Sequence, residues 1–513
     1  MPDGSLRRHS YPAIHRRARQ VANALTDLGV AAGERIGTLA WNSHRHLELL
    51  FGVSGMGAVL HTVNPRLFPQ QIEYIVNHAE DRCLLSDLSF LPLVEQLAPR
   101  LPTVRRFIAL TDAAHMPASS LSDLMCYEDW LARHQDDYRW PALDENTASS
   151  MCYTSGTTGR PKGVLFTHRS TVLHAMMVCQ TDVVGIAATD AVLLATPMFH
   201  ANGWGLPYAT ALCGAHLLLP GSALDGASLY RLLKSERATM GAGVPTVWMA
   251  LQQYVESGGF QPALELELRK VMIGGSAVSR AMIERFERDF SARVIHVWGM
   301  TETSPVGAVC NPLRKHREAT AEQRIELQLK QGRTPFGVEL RIVDLEGREL
   351  PRDGTTPGRL LVRGHWVTSG YFGACAGSAL DADGWFDTGD IATIDPEGYV
   401  QITDRAKDVI KSGGEWISSI DLENAAASHP AVAEAAAIGI PDPKWQERPL
   451  LVVVRKPEQE LTRNALLAFL ATRVAKWWLP ERVLFVTELP HTATGKLQKN
   501  VLRQMWSSGE LQG

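Results

Sequence analysis

The chain has 513 residues, 45% hydrophobic and 21% charged, with a formal net charge of −4 at neutral pH. That length exceeds what one hydrophobic core supports, so two or more domains are expected in an otherwise ordinary globular protein. The near-balanced charge gives no basis for nucleic acid binding. Seven cysteines without CxxC spacing argue against a disulfide framework or zinc site and for a reducing, cytoplasmic setting.

In chain order, the N-terminal residues lack the apolar core of a signal peptide. Tyr11, Ile14, Ala18, Val21, Ala22, Leu25 and Leu28 recur at helical spacing with arginines opposite, which predicts an amphipathic helix over 11–29. No apolar stretch is long enough to span a bilayer. Strands are expected at 35–40, 191–196, 216–219, 270–273 and 294–298, with helical stretches at 47–57, 70–77 and 281–289. That alternation argues for α/β layers with largely parallel sheets. From 337 to 400 the pattern turns to short strands (338–343, 359–362, 399–402) between Gly, Pro and Asp turns, a β-rich subdomain. A charged segment, 404–408, leads into a Gly-rich turn at 412–414. A compact α+β unit follows: helices at 419–428 and 462–475, strands at 432–438, 450–454 and 483–486. The expected organisation is therefore 1–403, a hinge at 404–407, and a second domain at 408–513.

The most informative run is Tyr153-Thr154-Ser155-Gly156-Thr157-Thr158-Gly159-Arg160-Pro161-Lys162-Gly163. Adjacent hydroxyls and glycines expose backbone N–H groups, and Lys162 adds a point cation, the equipment for holding a polyphosphate. Residues 150–153 read as a strand end and His168 onward as a helix, placing the loop at a strand-to-helix turn. It is not a Walker A loop, because Gly163 follows the lysine where that motif needs a hydroxyl.

The run resembles the phosphate loop of the adenylate-forming superfamily, and further resemblances follow in family order. They are residues 195–205 around His200, Ala201 and Trp204; Gly274-Gly275-Ser276; His296-Val297-Trp298-Gly299-Met300-Thr301-Glu302; Asp387-Thr388-Gly389-Asp390; and Arg405 with Lys407. Lys411-Ser412-Gly413-Gly414-Glu415-Trp416 and a loop ending in Gly495-Lys496 complete the set. The likeness covers nearly the whole chain and is nearest to medium- and long-chain fatty-acid ligases and methylmercaptopropionate ligases. It implies an α/β fold: a large N-terminal adenylate-forming domain of two α/β subdomains plus a small β subdomain, and a small mobile α+β C-terminal domain. Relative to the family, the chain enters abruptly at Ser10-Tyr11, which implies a shortened start.

Carried over position by position, the resemblance implies that ATP is met by 154–159, Lys162, 274–276, the 296–301 segment, Asp390 and Arg405. Trp298, where the family usually has tyrosine or phenylalanine, would stack on adenine. Asp390 would take both ribose hydroxyls. Mg²⁺ would sit on Glu302 with Thr154 nearby. His200, Ala201 and Trp204 would line the acyl pocket. Lys496 would serve adenylation, Lys407 would be the hinge, and Lys411, Gly413, Gly414 and Trp416 would face nucleotide and CoA after rotation. Catalytic weight falls on Lys496, Lys411, His200, Thr301 and Glu302. The implied activity is ATP-dependent ligation of a medium- or long-chain acid to CoA through an acyl-adenylate. A short thioether acid or transfer to a carrier protein are the alternatives, and a homodimer is compatible.

Overall fold

Ser10 starts the first helix, Tyr11–Asp27, by accepting a hydrogen bond from the Ala13 N–H at 3.3 Å, with Pro12 in the first turn. The helix buries Ile14, Ala18, Val21, Ala22, Ala24 and Leu25 against the next helix, His44–Gly55. Gly52 makes that contact close, since a Cβ there would lie 2.8 Å from Ala18 O and the Val21 side chain. The computed structural model describes residues 6–154, 160–375, 377–412, 415–491 and 497–511. Ser155, Gly156, Thr157, Thr158, Gly159, Gly413, Gly414 and Lys496 lie outside the described residues.

The first sheet orders Met125–Cys126, Arg106–Ala109, Asp81–Ser86, Arg35–Leu39, Val59–Thr62, Ala148–Tyr153 and Gly163–Thr167 side by side, parallel except for the last. The second orders Val306–Val309, Arg293–Gly299, Lys270–Ile273, Met240–Gly243, Ala191–Leu194 and His216–Leu218, parallel except for the first. Strands such as Ala191–Leu194 and Met240–Gly243 are buried along their whole length, as parallel strands covered on both faces must be. Each fully buried leucine or isoleucine there contributes roughly 1.5–3 kcal/mol relative to exposure. An antiparallel sheet of Val338–Val343, Gly358–Gly364, Phe386–Ile394 and Val400–Arg405 follows. The chain leaves it at Arg405 and enters the last sheet at Ile410–Ser412, which joins Glu415–Ile417, Gln446–Arg455, Val432–Asp442 and Arg482–Val486.

Two expectations are corrected. The phosphate run does not lead from strand to helix. The β-branched and aromatic run Gly163–Thr167 pairs antiparallel with Ala148–Tyr153, so the loop closes a hairpin. The helix His168–Val178 begins only afterwards, with Thr167 Oγ1 accepting from Ser170 N at 3.0 Å. The helix expected at 462–475 ends at Leu470, its last fully buried apolar residue, and a 3₁₀ turn at Lys476–Trp478 precedes Pro480. Among the described residues, no helix is long and apolar enough to cross a membrane.

Candidate active site

The site lies where the phosphate hairpin, the end of the second parallel sheet and the antiparallel sheet meet. The hairpin neck is closed by Thr154 N donating to Lys162 O at 2.9 Å. Below it, the Tyr153 hydroxyl and His78 Nδ1 are 2.6 Å apart, and the Tyr153 ring lies on His61 at 5.0 Å between centroids. His61 in turn is 2.8 Å from the Asp81 carboxylate, both fully buried. Burial drives the Asp81 pKa up and its histidine neighbour pulls it down.

From the hairpin, Phe372 N donates to Gly163 O at 2.8 Å, and Val164 bridges to Tyr371. Lys162 Nζ stands 4.7 Å from the Tyr371 ring centroid, and the Tyr371 hydroxyl donates to Glu302 Oε1 at 2.9 Å. Thr368 N donates to Glu302 O at 2.8 Å. Thus the segment around Tyr371 ties the loop lysine to the acidic candidate ligand. Burial pushes the Glu302 carboxyl above its ordinary range, while the Tyr371 hydroxyl, Arg405 and Lys162 pull it back. One such carboxylate, with phosphate oxygens and water completing the shell, fits how Mg²⁺ is ordinarily held beside a nucleotide. Tyr371 is absent from the sequence reading. Its local signal was an aromatic pair in a Gly-rich turn, which does not name its partner.

The aromatic-Gly-x-Thr-Glu segment ends the strand Arg293–Gly299 and enters a 3₁₀ turn at Thr301–Thr303. Only glycine fits at 299, where a Cβ would fall 1.7 Å from Pro305 O. His296 departs from the expected nucleotide contact at the side-chain level. It is 1% exposed, its Nδ1 meets Gln328 O at 3.1 Å, and burial lowers its pKa to about 4. Trp298 is also buried, and its Nε1 donates to Asp390 Oδ2 at 2.9 Å. Arg405 Nε lies 2.6 Å from Asp390 Oδ1. Trp298, Asp390 and Arg405, read as separate motifs, therefore converge.

The backbone at the acyl segment is unusual. Ala201, Asn202, Gly203, Trp204 and Gly205 all have positive φ, at 37°, 43°, 63°, 58° and 71°, forming a left-handed turn. Strain of this kind persists only where the surroundings over-determine it. Here Asn202, buried, donates to Thr62 Oγ1 at 3.3 Å and accepts from the Ser150 hydroxyl, joining the turn to the strand that leads into the phosphate loop. Asn42 holds the approach to the turn, accepting from Met198 N at 2.7 Å and donating to Leu194 O and Thr196 O at 2.8 Å. His200, half-buried, precedes the turn. Trp204 is turned inward against Gly274 and Gly275, whose Cβ positions lie 3.4 and 4.0 Å from its ring. Ser276 is exposed beside them.

Beyond Arg405, Lys407 and Lys411 are exposed. Lys411 pairs with Trp416 across the hairpin of Ile410–Ser412 and Glu415–Ile417, and its N–H donates to Glu447 Oε2 at 2.8 Å. Arg448 Nη1 donates to Ser412 Oγ at 3.2 Å, bracing the same hairpin.

Comparison with known proteins matches residues 3–372 to the family described as AMP-binding enzyme and 421–496 to the AMP-binding enzyme C-terminal domain. A medium-chain-fatty-acid–CoA ligase of Ectopseudomonas oleovorans is 47% identical over 98% of this chain and 91% of its own length. A 3-methylmercaptopropionyl-CoA ligase of Ruegeria lacuscaerulensis is 48% identical over 98% and 92%. A long-chain-fatty-acid–CoA ligase of Thermus thermophilus is 47% identical over 98% and 91%. Among solved structures, an anthranilate CoA ligase in complex with anthranoyl-AMP superposes with a TM-score of 0.85 at 26% identity, covering 97% of this chain and 92% of its own. ATP-bound MatB from Rhodopseudomonas palustris gives 0.82 at 26% identity, covering 97% and 93%.

Proposed function

The chain belongs to the AMP-binding enzyme family and is an AMP-forming acid–CoA ligase, and from that premise we propose that its acid is a medium- or long-chain fatty acid. The observation that carries this choice is the wall at Trp204. The indole is buried in the same apolar cluster as Val192, Leu194, Met198, Leu206, Met240 and Val297. A pocket opening there would reward methylene groups rather than a second polar end. The short thioether acid is the second reading, favoured by the 48% identical relative named for it.

In the first half-reaction, the acid's carboxylate attacks the α-phosphorus of ATP, pyrophosphate leaves and an acyl-adenylate remains. An anion attacking a polyanion needs its charge neutralised more than it needs a proton moved. Lys162 and Lys496 are proposed to supply positive charge, and Thr301 a hydrogen bond to the α-phosphate. Glu302, aided by Thr154, would hold Mg²⁺, which when bound neutralises phosphate charge. Asp390 and Arg405 would position the ribose. The expected domain boundary at 404–407 then acts as the pivot. The C-terminal domain turns about Lys407, withdraws Lys496 and presents the hairpin at 411–416. The CoA sulfur attacks the acyl carbonyl, AMP leaves, and the thiol proton is released.

Pyrophosphate release over straight-chain acids of graded length, with 3-methylmercaptopropionate included, tests the choice of acid. Each methylene buried is worth roughly 0.8 kcal/mol, about fourfold in specificity constant. A rise to a maximum beyond six carbons is expected. A maximum at the thioether acid, with loss on lengthening, would replace the fatty-acid reading with the second one.

A further inference from the structure

Trp298 does something an ordinary stacking aromatic would not. Its ring lies on the neighbouring strand Val306–Val309, where a Cβ on Gly307 would stand 2.5 Å from Cζ3 and 2.9 Å from Cε3. The backbone of Trp298 is in register with Ala308, so strand pairing fixes the side chain's root while Gly307 seats the ring. Thus oriented, the indole N–H crosses from the second parallel sheet to the antiparallel sheet and donates to Asp390 Oδ2 at 2.9 Å. Asp390 is 2% exposed, and its other oxygen faces Arg405 Nε at 2.6 Å.

We propose that Trp298 is a positioning residue for ribose recognition, its indole N–H fixing the Asp390 carboxylate against rotation so that both ribose hydroxyls meet it at once. This rests on the reading of Asp390 as the ribose ligand. The indole N–H fixes one carboxylate oxygen and the Arg405 charge draws the other, which resists rotation about the Cβ–Cγ bond, while each oxygen has lone pairs enough to accept from a hydroxyl as well. The indole has few rotatable bonds and is packed on a strand, so it loses little freedom in making the bond. Phenylalanine stacks on adenine as well but has no N–H, and tyrosine carries its donor at the ring tip rather than along the edge. The choice of tryptophan at 298 is thereby given a reason that stacking alone does not supply.

The test is calorimetric binding of AMP, 2′-deoxy-AMP and 3′-deoxy-AMP to the full chain, with Trp298→Phe and Asp390→Ala beside the wild type. Wild type is expected to favour AMP over either deoxynucleotide. In Trp298→Phe that preference should shrink by about tenfold, the scale of one hydrogen bond to a charged group, with deoxynucleotide binding little changed. If Asp390→Ala abolishes the preference while Trp298→Phe weakens all three ligands equally, the tryptophan only packs or stacks and the proposal is overturned, the ribose reading standing. If wild type shows no preference, the ribose reading fails and takes the proposal with it. Should Trp298→Phe not fold, replacing Trp298 with benzothienylalanine, which keeps the ring shape and lacks the N–H, gives the same comparison.

Discussion

At the scale of single residues, Tyr371 is one of the groups that offset the effect of burial on Glu302. Burial favours the protonated Glu302 carboxyl, and the Tyr371 hydrogen bond with nearby Lys162 and Arg405 favours the carboxylate. Only the carboxylate can serve as a cation ligand. In Tyr371→Phe one force favouring ionisation is gone, so Glu302 keeps its proton to a higher pH. The acid limb of kcat/KM for ATP is therefore expected to move to higher pH, with a larger Mg²⁺ requirement near that limb. Superimposable pH profiles for the two enzymes would show that Tyr371 does not act through Glu302. Trp204 sets the second residue-scale expectation. Its side chain fills the space against Gly274 and Gly275, so Trp204→Ala opens that space and should shift the best acid to a longer chain. An unchanged length profile of the specificity constant would remove Trp204 from the acyl pocket.

At the scale of elements, the helix His168–Val178 joins the left-handed turn to the end of the second sheet through His174. Its Nε2 accepts from Val306 N at 3.2 Å, its ring meets Trp366 edge-on at 6.0 Å, and Gly205 lies against it. Burial lowers its pKa from 6.5 to about 3. The folded protein thus refuses a proton that the unfolded chain accepts below pH 6.5, and stability is lost as pH falls through that window toward 3. His44, His46 and His296 are lowered in the same direction, so the comparison must isolate one site. His174→Gln keeps an acceptor and cannot titrate. Between pH 6 and 4 its unfolding free energy should fall less steeply than the wild type's, by about 1.4 kcal/mol per pH unit. Parallel curves in a denaturant series would contradict the assignment. Elements of this kind divide sharply in how legible they are. Lys270–Ile273 and Val338–Val343 stand where their apolar runs predict. Gly163–Thr167 is hidden because the loop before it is dominated by residues that suit any turn, and hairpin pairing is a contact between strands rather than a local pattern. The site follows the same division. Glu302, Trp298, Asp390 and Arg405 announce themselves by local motif. Tyr371 meets Glu302 across 69 residues and Asn202 meets Thr62 across 140, partnerships that only the assembled sheets create.

At the scale of the whole molecule, the proposed pivot lies between two anchors of different kinds, one buried and one half-buried. Asp404 lies before Lys407, on the strand Val400–Arg405, yet it accepts from Ser419 N at 2.6 Å and Ser419 Oγ at 2.9 Å at the start of the helix beyond the pivot. Lys499, 9% exposed, donates to the same Ser419 hydroxyl at 2.6 Å and pairs with Glu423 at 2.8 Å. Asp408 and Arg503, 2.8 Å apart, both lie beyond the pivot. A turn about Lys407 carries the second pair along intact but has to part Asp404 from Ser419 and the Ser418 hydroxyl from Thr403 O, so resistance to swinging gathers where the start of this helix meets the strand Val400–Arg405. Lys496 sits just ahead of Lys499 on the chain and would travel with it. Lys411 sits on the hairpin that follows the pivot, and one active site cannot hold both lysines at once if the domain turns. Lys496→Ala should therefore slow acyl-adenylate formation on the order of 10²–10³-fold, the scale for losing one preorganised charge donor, while thioester formation from supplied acyl-AMP stays nearly intact. Lys411→Ala should show the opposite bias, making acyl-AMP at a near-normal rate and converting it slowly with CoA. Single-turnover kinetics of each half-reaction in both variants make the comparison. Equal losses in the two halves for Lys496→Ala would mean that this lysine stays at the reacting centre throughout, and that the domain does not exchange its two faces during turnover.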